Sequence, residues 1–313
     1  MAIWQGRGTL VSAGEESTYG TAVSRTIHRE VISLSLQRRA EHRAIPTLGV
    51  QSSLGLRRSF QVNEQVAGTV EIEACYEGVG IWLKHALGSL SSAGGGAPYT
   101  HTYAISALPT GLTIEAILGG SGNSEVFEGC KITSLDISGS VGDVVRLKAE
   151  IIGETGSARS SAPTPTLGNH SSPVLHHQGA AASWNSGSFQ MRDFAVRLDN
   201  GLTRRQNIGS LVTASPTRSA HPRVTGRLTV ERDADALYNG HIAGTQSDLV
   251  LVFTDGSETF TITIFNALIT KCDEPISGAG DQLTSLEFEG FADATNNALE
   301  VEVVNADSSG IAA

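Results

Sequence analysis

Apolar and polar residues alternate with a period of two through much of this chain. After Gly68, Val70 and Ile72 alternate with Glu71 and Glu73; after Gly226, Leu228 and Val230 alternate with Thr229 and Glu231. One apolar and one polar face predict half-buried strands. A helical spacing follows each. Val79, Trp82, Leu83 and Ala86 stand at i, i+3, i+4 and i+7, and Ala234, Leu237, Tyr238 and His241 repeat it. Gly88 and Gly244 fall where a helix ends, and Asp233 and Asp235 suit a positive helix N-terminus. Both stretches continue as strand, turn, long strand, turn, strand. In the closing strands Leu147, Ala149 and Ile151 alternate with Arg146, Lys148 and Glu150, and Leu286 and Phe288 with Glu287 and Glu289.

The same order of elements thus occurs twice, the mark of an internal repeat. Upstream of each glycine a strand is expected (Val31 to Leu36; Phe194 to Leu198). A long polar loop follows it, containing Pro46 to Gly49 in one copy and Asn207 to Ser210 in the other. The expected organisation is an arm over 1–24, a first β domain over 25–155, a Ser/Pro/Gly-rich linker over 156–179, a second β domain over 180–293 and a tail over 294–313. The fold class is mainly β: two tandem β-sandwich or partly open barrel domains, each with one short α-helix. Such sheets leave edge strands that need partners. The arm from Ala2 to Val23, without periodicity, is expected to order against a neighbouring chain.

Charge refines this picture. The net charge of −10 argues against a general nucleic-acid binder. It is unevenly spread. Gln37 to Phe60 carries Arg38, Arg39, Arg43, Arg57 and Arg58 against Glu41; Gly201 to Arg223 carries Arg204, Arg205, Arg218 and Arg223 and no acid. These equivalent loops together hold +8, which leaves −18 on the rest of a chain totalling −10. A body with one basic and one acidic end suits head-to-tail stacking, so the nine arginines are candidate inter-ring contacts. Glu71, Glu73, Asp136, Asp143, Asp273, Glu274, Glu287 and Glu289 are candidates for a lumen wall that repels phosphate.

Composition excludes more than it specifies. With 40% hydrophobic residues a folded core is expected; with 5% aromatics, and Trp4, Trp82 and Trp184 dispersed, an aromatic binding cluster is not. Cys75, Cys130 and Cys272 form no Cys-x-x-Cys and no disulfide framework, so a reducing compartment is expected. No signal peptide and no membrane span are read in the chain. Nucleophile elbow, phosphate loop and metalloprotease motif are all missing from the sequence. His176 and His177, with His170 nearby, lack ligand spacing; Cys130 lies in a strand with no base implied; Gly119 to Asn123 reads as a hairpin turn. No catalytic residue, metal or cofactor is assigned.

Four stretches resemble a known family: Gly14 to Val23 ("GEESTYGTAV"), the strand and helix from Gly68 to Gly88, Pro98 to Tyr103 ("PYTHTY") and Phe127 to Ser138 ("FEGCKITSLDIS"). They resemble the tail tube proteins of long-tailed, non-contractile bacteriophages, in the form with two tail-tube domains per chain. The resemblance implies a structural virion protein without enzymatic activity. It implies homotrimeric rings, stacked into a conduit for genome ejection, with inner strands joined around a channel and the two basic loops reaching the neighbouring ring. Genomic DNA would pass without specific binding, and tape-measure, tail-terminator and baseplate proteins would be partners. The chain would reside in the phage tail and, during assembly, in the host cytoplasm. The competing readings are a β-sandwich adhesin and a hydrolase with an unrecognised site.

Overall fold

A computed structural model of the chain describes residues 6–25, 27–45, 58–119, 122–167, 173–232, 235–276 and 280–311. In chain order the first half contains β1 (Leu10–Glu16), β2 (Ile27–Glu30), β3 (Ser33–Leu34), β4 (Gln37–Ile45), β5 (Arg58–Glu73), α1 (Gly80–Leu87), β6 (Ser91–Ala93), β7 (Tyr99–Ala104), β8 (Gly111–Leu118), β9 (Asn123–Ser140) and β10 (Arg146–Gly153). Three two-residue strands follow: β11 (Thr155–Gly156), β12 (Ser160–Ser161) and β13 (Thr166–Leu167). The rest is β14 (Ala180–Trp184), β15 (Gly187–Phe189), β16 (Met191–Asp199), β17 (Leu202–Arg205), β18 (Ala214–Arg218), β19 (Arg223–Glu231), α2 (Ala236–Ala243), β20 (Gln246–Asp255), β21 (Glu258–Asp273), β22 (Leu283–Gly290) and β23 (Leu299–Asn305). The fold is mainly β.

The two halves pair their strands in the same order. In the first, β3 and β4 flank β5, β5 pairs β10, and β10 pairs the second part of β9. In the second, β16 flanks β19, β19 pairs β22, and β22 pairs the end of β21. The first parts of β9 and β21 instead pair β8 and β20. Even the irregularities correspond. The β9–β10 ladder slips between Glu150 and Ile151, and the β21–β22 ladder between Ile269 and Lys271. Gly129 (φ 62°) and Asn266 (φ 47°) occupy the equivalent left-handed position before the kink. Asparagine tolerates that region better than most side chains, so the kink survives the loss of glycine. The equivalent of Gly129 is therefore Asn266.

Within this sheet the halves are joined where β16 runs antiparallel to β9 over seven residue pairs, Asp193↔Ser140 to Asp199↔Ser134; elsewhere β23 also crosses to pair β7. One inner sheet thus runs β4–β5–β10–β9–β16–β19–β22–β21. Its buried face, with Val70, Ile72, Leu147, Leu135, Ile137, Val196 and Leu228, belongs to a hydrophobic cluster reaching through both halves. Alternation explains this directly: every second residue of these strands is apolar and points inward.

Three expectations change. The polar loop after Leu36 is largely strand, because β4 and the start of β5 form a ribbon whose β4 side chains are all exposed. With neither face buried, no alternation marks it. Leu10–Glu16, assigned to the N-terminal arm, is a strand paired along its length with β8. Its buried positions include Ser12 and Glu16, which hid the pattern. The C-terminal segment is also built in, since β23 pairs both β21 and β7.

The helices differ in burial. α1 buries Trp82, Leu83, His85, Ala86 and Leu87, whereas α2 buries only Gly240 and leaves Tyr238 and Ile242 exposed. Gly240 lies flat on Trp184, where a Cβ would stand 2.2 Å from the ring. Ala234 and Asp233 of the predicted helix lie outside the described residues.

Candidate assembly interface

Three features of the inner sheet stand out: its polar face, its two lateral edges and its two ends. On the polar face six of the predicted acids come together: Glu71 and Glu73 of β5, Asp136 of β9, Asp273 of β21, and Glu287 and Glu289 of β22. Asp143 sits instead in the β9–β10 turn, where the Val144 N–H and then Arg146 hold its carboxyl below the usual range. Glu274 lies just past β21 and turns toward Arg232 (3.4 Å) and the buried Thr284 hydroxyl (3.4 Å).

The same alternation that marked the predicted acids puts Glu150, Asp193, Asp199 and Glu231 on this face, together with Arg146, Lys148, Arg197, Arg223, Arg227 and Lys271. The wall is therefore mixed, with ten carboxylates and six cations. Arg197 bridges Asp136 (2.9 Å) and Glu150 (3.6 Å), Arg223 grips Glu289 (2.6 Å), and Lys271 contacts Asp273 (2.6 Å) and Glu287 (3.8 Å). Arg197–Asp136, Arg223–Glu289 and Lys271–Glu287 join neighbouring strands, Arg197–Glu150 reaches across β9, and Lys271–Asp273 lies within β21; all face solvent and contribute little to stability. Their larger effect is to leave the face only moderately negative.

Both lateral edges are open among the described residues. From Ile269 to Asp273, β21 has β22 on one side and no strand on the other. At the far end, β3 and β4 pair β5 and nothing beyond it. These two edges are the counterparts of β9 and β16, which pair with each other inside the chain.

At one end of the sheet the basic loops converge. The β4–β5 ribbon carries Arg38, Arg39, Arg43 and Arg58; Arg57 and Pro46 to Gly49 lie outside the described residues. Arg38 is engaged within the chain by a bidentate bond to Glu64 (2.7 and 2.9 Å), whose carboxyl it holds below its ordinary range. The second loop is a short hairpin of β17 and β18 that lies against the root of the ribbon. Leu211 O accepts the Glu64 N–H (2.8 Å), Gln206 donates to Val62 O (3.1 Å), and Arg204 donates to Val66 O (2.8 Å). Arg205 closes its own hairpin onto Ser215 O (3.1 Å), and Arg218 donates to Ser106 O and to Asn200 Oδ1 (2.8 Å). Arg39, Arg43 and Arg58 are left exposed on the ribbon.

A model of the phage tail tube protein family matches residues 6–290. The chain belongs to the phage tail tube protein family. No curated protein matches it. Membership makes the chain a structural component of the virion, a tail tube protein that associates with itself into a tube. Among the described residues no group of three or more His, Cys, Asp or Glu is placed to hold a metal, and no helix is long and apolar enough to cross a membrane.

Proposed function

We propose that this tail tube protein closes rings by repeating between chains the joint it makes within itself. Stacked rings then form the non-contractile conduit through which the genome enters the host. The β9–β16 pairing carries this reading: it joins two equivalent half-sheets, and the equivalents of both partners stand open at opposite edges. A head-to-tail contact of this kind closes a ring when its rotation sums to a full turn. In this reading three chains, and so six half-sheets, make up the ring.

The internal joint also supplies the register. Val196 and Leu36 are equivalent, opposite Gly226 and Gly68 respectively; Leu135 and Cys272 are equivalent, two residues past the shared kink. Within the chain Leu198 faces Leu135. Between chains Cys272 then faces Arg38 of its neighbour.

In such a ring the polar face lines the hole. Ten acids against six cations repel phosphate, and the interleaved ion pairs keep the repulsion modest, so DNA slides without being held. The exposed arginines Arg39, Arg43 and Arg58, with Arg57, serve ring-to-ring contact. Arg204, Arg205 and Arg218 brace the ribbon instead. Tape-measure, terminator and baseplate proteins meet the finished ends, and assembly takes place in the host cytoplasm.

The register gives the test. In assembled, oxidised protein, Arg38→Cys should form a disulfide with the native Cys272 of the adjacent chain, giving a covalent species that stops at three chains. Rings that yield only monomers on a non-reducing gel would refute the register, and protein that forms no ring would refute the reading.

A further inference from the structure

The two helices take equivalent seats but are covered differently. Each is eight residues long and ends on a glycine, Gly88 or Gly244, so Gly240 answers to Lys84 and Ile242 to Ala86. Their surroundings agree. Lys84 reaches Glu15 of β1 (2.8 Å), Gly240 lies on Trp184 of β14, and β1 pairs β8 as β14 pairs β20. Both helices also end over the same point of the sheet. The Asn200 amide bridges Ala86 O (2.8 Å) and Ile132 O (3.1 Å), and His241 Nδ1 bonds Ile269 O (2.7 Å). Ile132 and Ile269 stand at the same distance from Gly129 and Asn266. Inside the chain this strip is closed: Leu135 faces Leu198, Ala86 receives Asn200, and both are buried. At the outer edge its counterparts are not. Ile242 is 67% exposed, Cys272 is only partly buried, and Tyr238, one turn before Ile242 on the same helical face, is 41% exposed.

We infer that the Tyr238–Ile242 face of α2 is a docking surface for a second copy of this chain, whose β4 seats Ala40 beside Ile242 at the end of the helix. This rests on the ring reading above and adds a helix face to the strand edge which that reading uses. Leu36 answers to Val196, so Ala40 answers to Asn200. The two joints exchange bulk. Inside the chain the larger Asn200 meets the small Ala86; between chains the small Ala40 meets the larger Ile242, so both joints fill to the same density. The exchange also accounts for the polar groups. Alanine cannot bridge Ile269 O as Asn200 bridges Ile132 O, and His241 of the same chain has taken that carbonyl. The internal joint thus holds a buried amide with three hydrogen bonds, to Ala86, Ile132 and Arg218. The external one closes on apolar contact beside a strand ladder. An uncovered isoleucine costs a free chain far less than an unpaired buried amide would, so the chain folds fully before its neighbour arrives.

An Ala40→Cys, Ile242→Cys chain in a Cys272→Ser background tests this, since Cys75 and Cys130 are buried. Ala40 and Ile242 belong to opposite lateral edges of the sheet, so a short bismaleimide joins them only between chains. Assembled rings should give covalent species that stop at ring size. Rings that form but give no such species overturn the helix assignment and leave the ring reading intact; wild-type protein that forms no ring sinks both. Should the cysteine chain not fold, Ile242→Asp, a change at an exposed position, takes its place. Its urea midpoint should match wild type while the concentration needed for rings rises on the order of tenfold. Rings at the wild-type concentration overturn the assignment.

Discussion

Asn200 has no exposed surface, yet its amide binds both halves of the molecule. Its Nδ2 donates to Ala86 O at the end of α1 (2.8 Å) and to Ile132 O of β9 (3.1 Å), and its Oδ1 accepts from Arg218 (2.8 Å). One side chain therefore caps the helix, pins β9 and roots the second loop. Nothing in the sequence singles it out, because its partners are backbone carbonyls distant along the chain. His85 on the same helix is legible only as a helix residue. Burial pushes its pKa down to about 4, with Glu15 opposing the shift, and its Nε2 makes no hydrogen bond among the described residues. Because the folded pKa lies below the ordinary 6.5, the unfolded chain takes up the proton first as pH falls. Stability is then full above the unfolded value and is lost as pH falls toward the folded one. The loss from this group between pH 7 and 5 is about 2 kcal/mol. Urea denaturation at both pH values should show a smaller acid loss in His85→Gln than in wild type; equal losses would contradict the assignment.

At the scale of elements, the repeated strand and helix were readable because one face of each strand is buried and period two survives. The ribbon is not, since its β4 side chains are exposed on both faces and no buried side enforces an alternation, and neither is β1, whose buried Glu16 accepts from Thr113 (2.9 Å) and the Gly129 N–H (2.9 Å). The eight predicted acids came from alternation plus sign of charge. Six share a face, and the six cations interleaved with them there follow from the same alternation, which net charge alone conceals. Gly68 and Gly226 anchor the repeat for a physical reason. A Cβ at Gly68 would stand 2.4 Å from Ser35 O, and one at Gly226 2.5 Å from Ala195 O, each on the strand that flanks it. Glycine lets that strand approach, and that strand is the one that offers an edge. Gly68→Ala should therefore cost about 1–3 kcal/mol in urea denaturation and displace β3 and β4. A neutral substitution would mean the close approach is not required.

For the whole molecule, a repeated order of β elements and a split of charge are legible in the chain, and the structure adds how the halves meet. One sheet crosses both halves, its edges unlike those of a closed barrel and its basic loops gathered at one end. The joint between β9 and β16 could not be read from the chain, because an internal edge and an outward one carry the same alternation. The account accordingly stands on whether that joint recurs between chains. Electron microscopy of the purified protein, raised to concentrations at which tubes form, tests it most directly. It should show annuli with an open centre, three chains to a ring, and one unbroken inner sheet passing from each chain to the next. Solitary particles without an aperture, or rings in which the end of β21 and the β3–β4 edge of its neighbour do not pair, would contradict it.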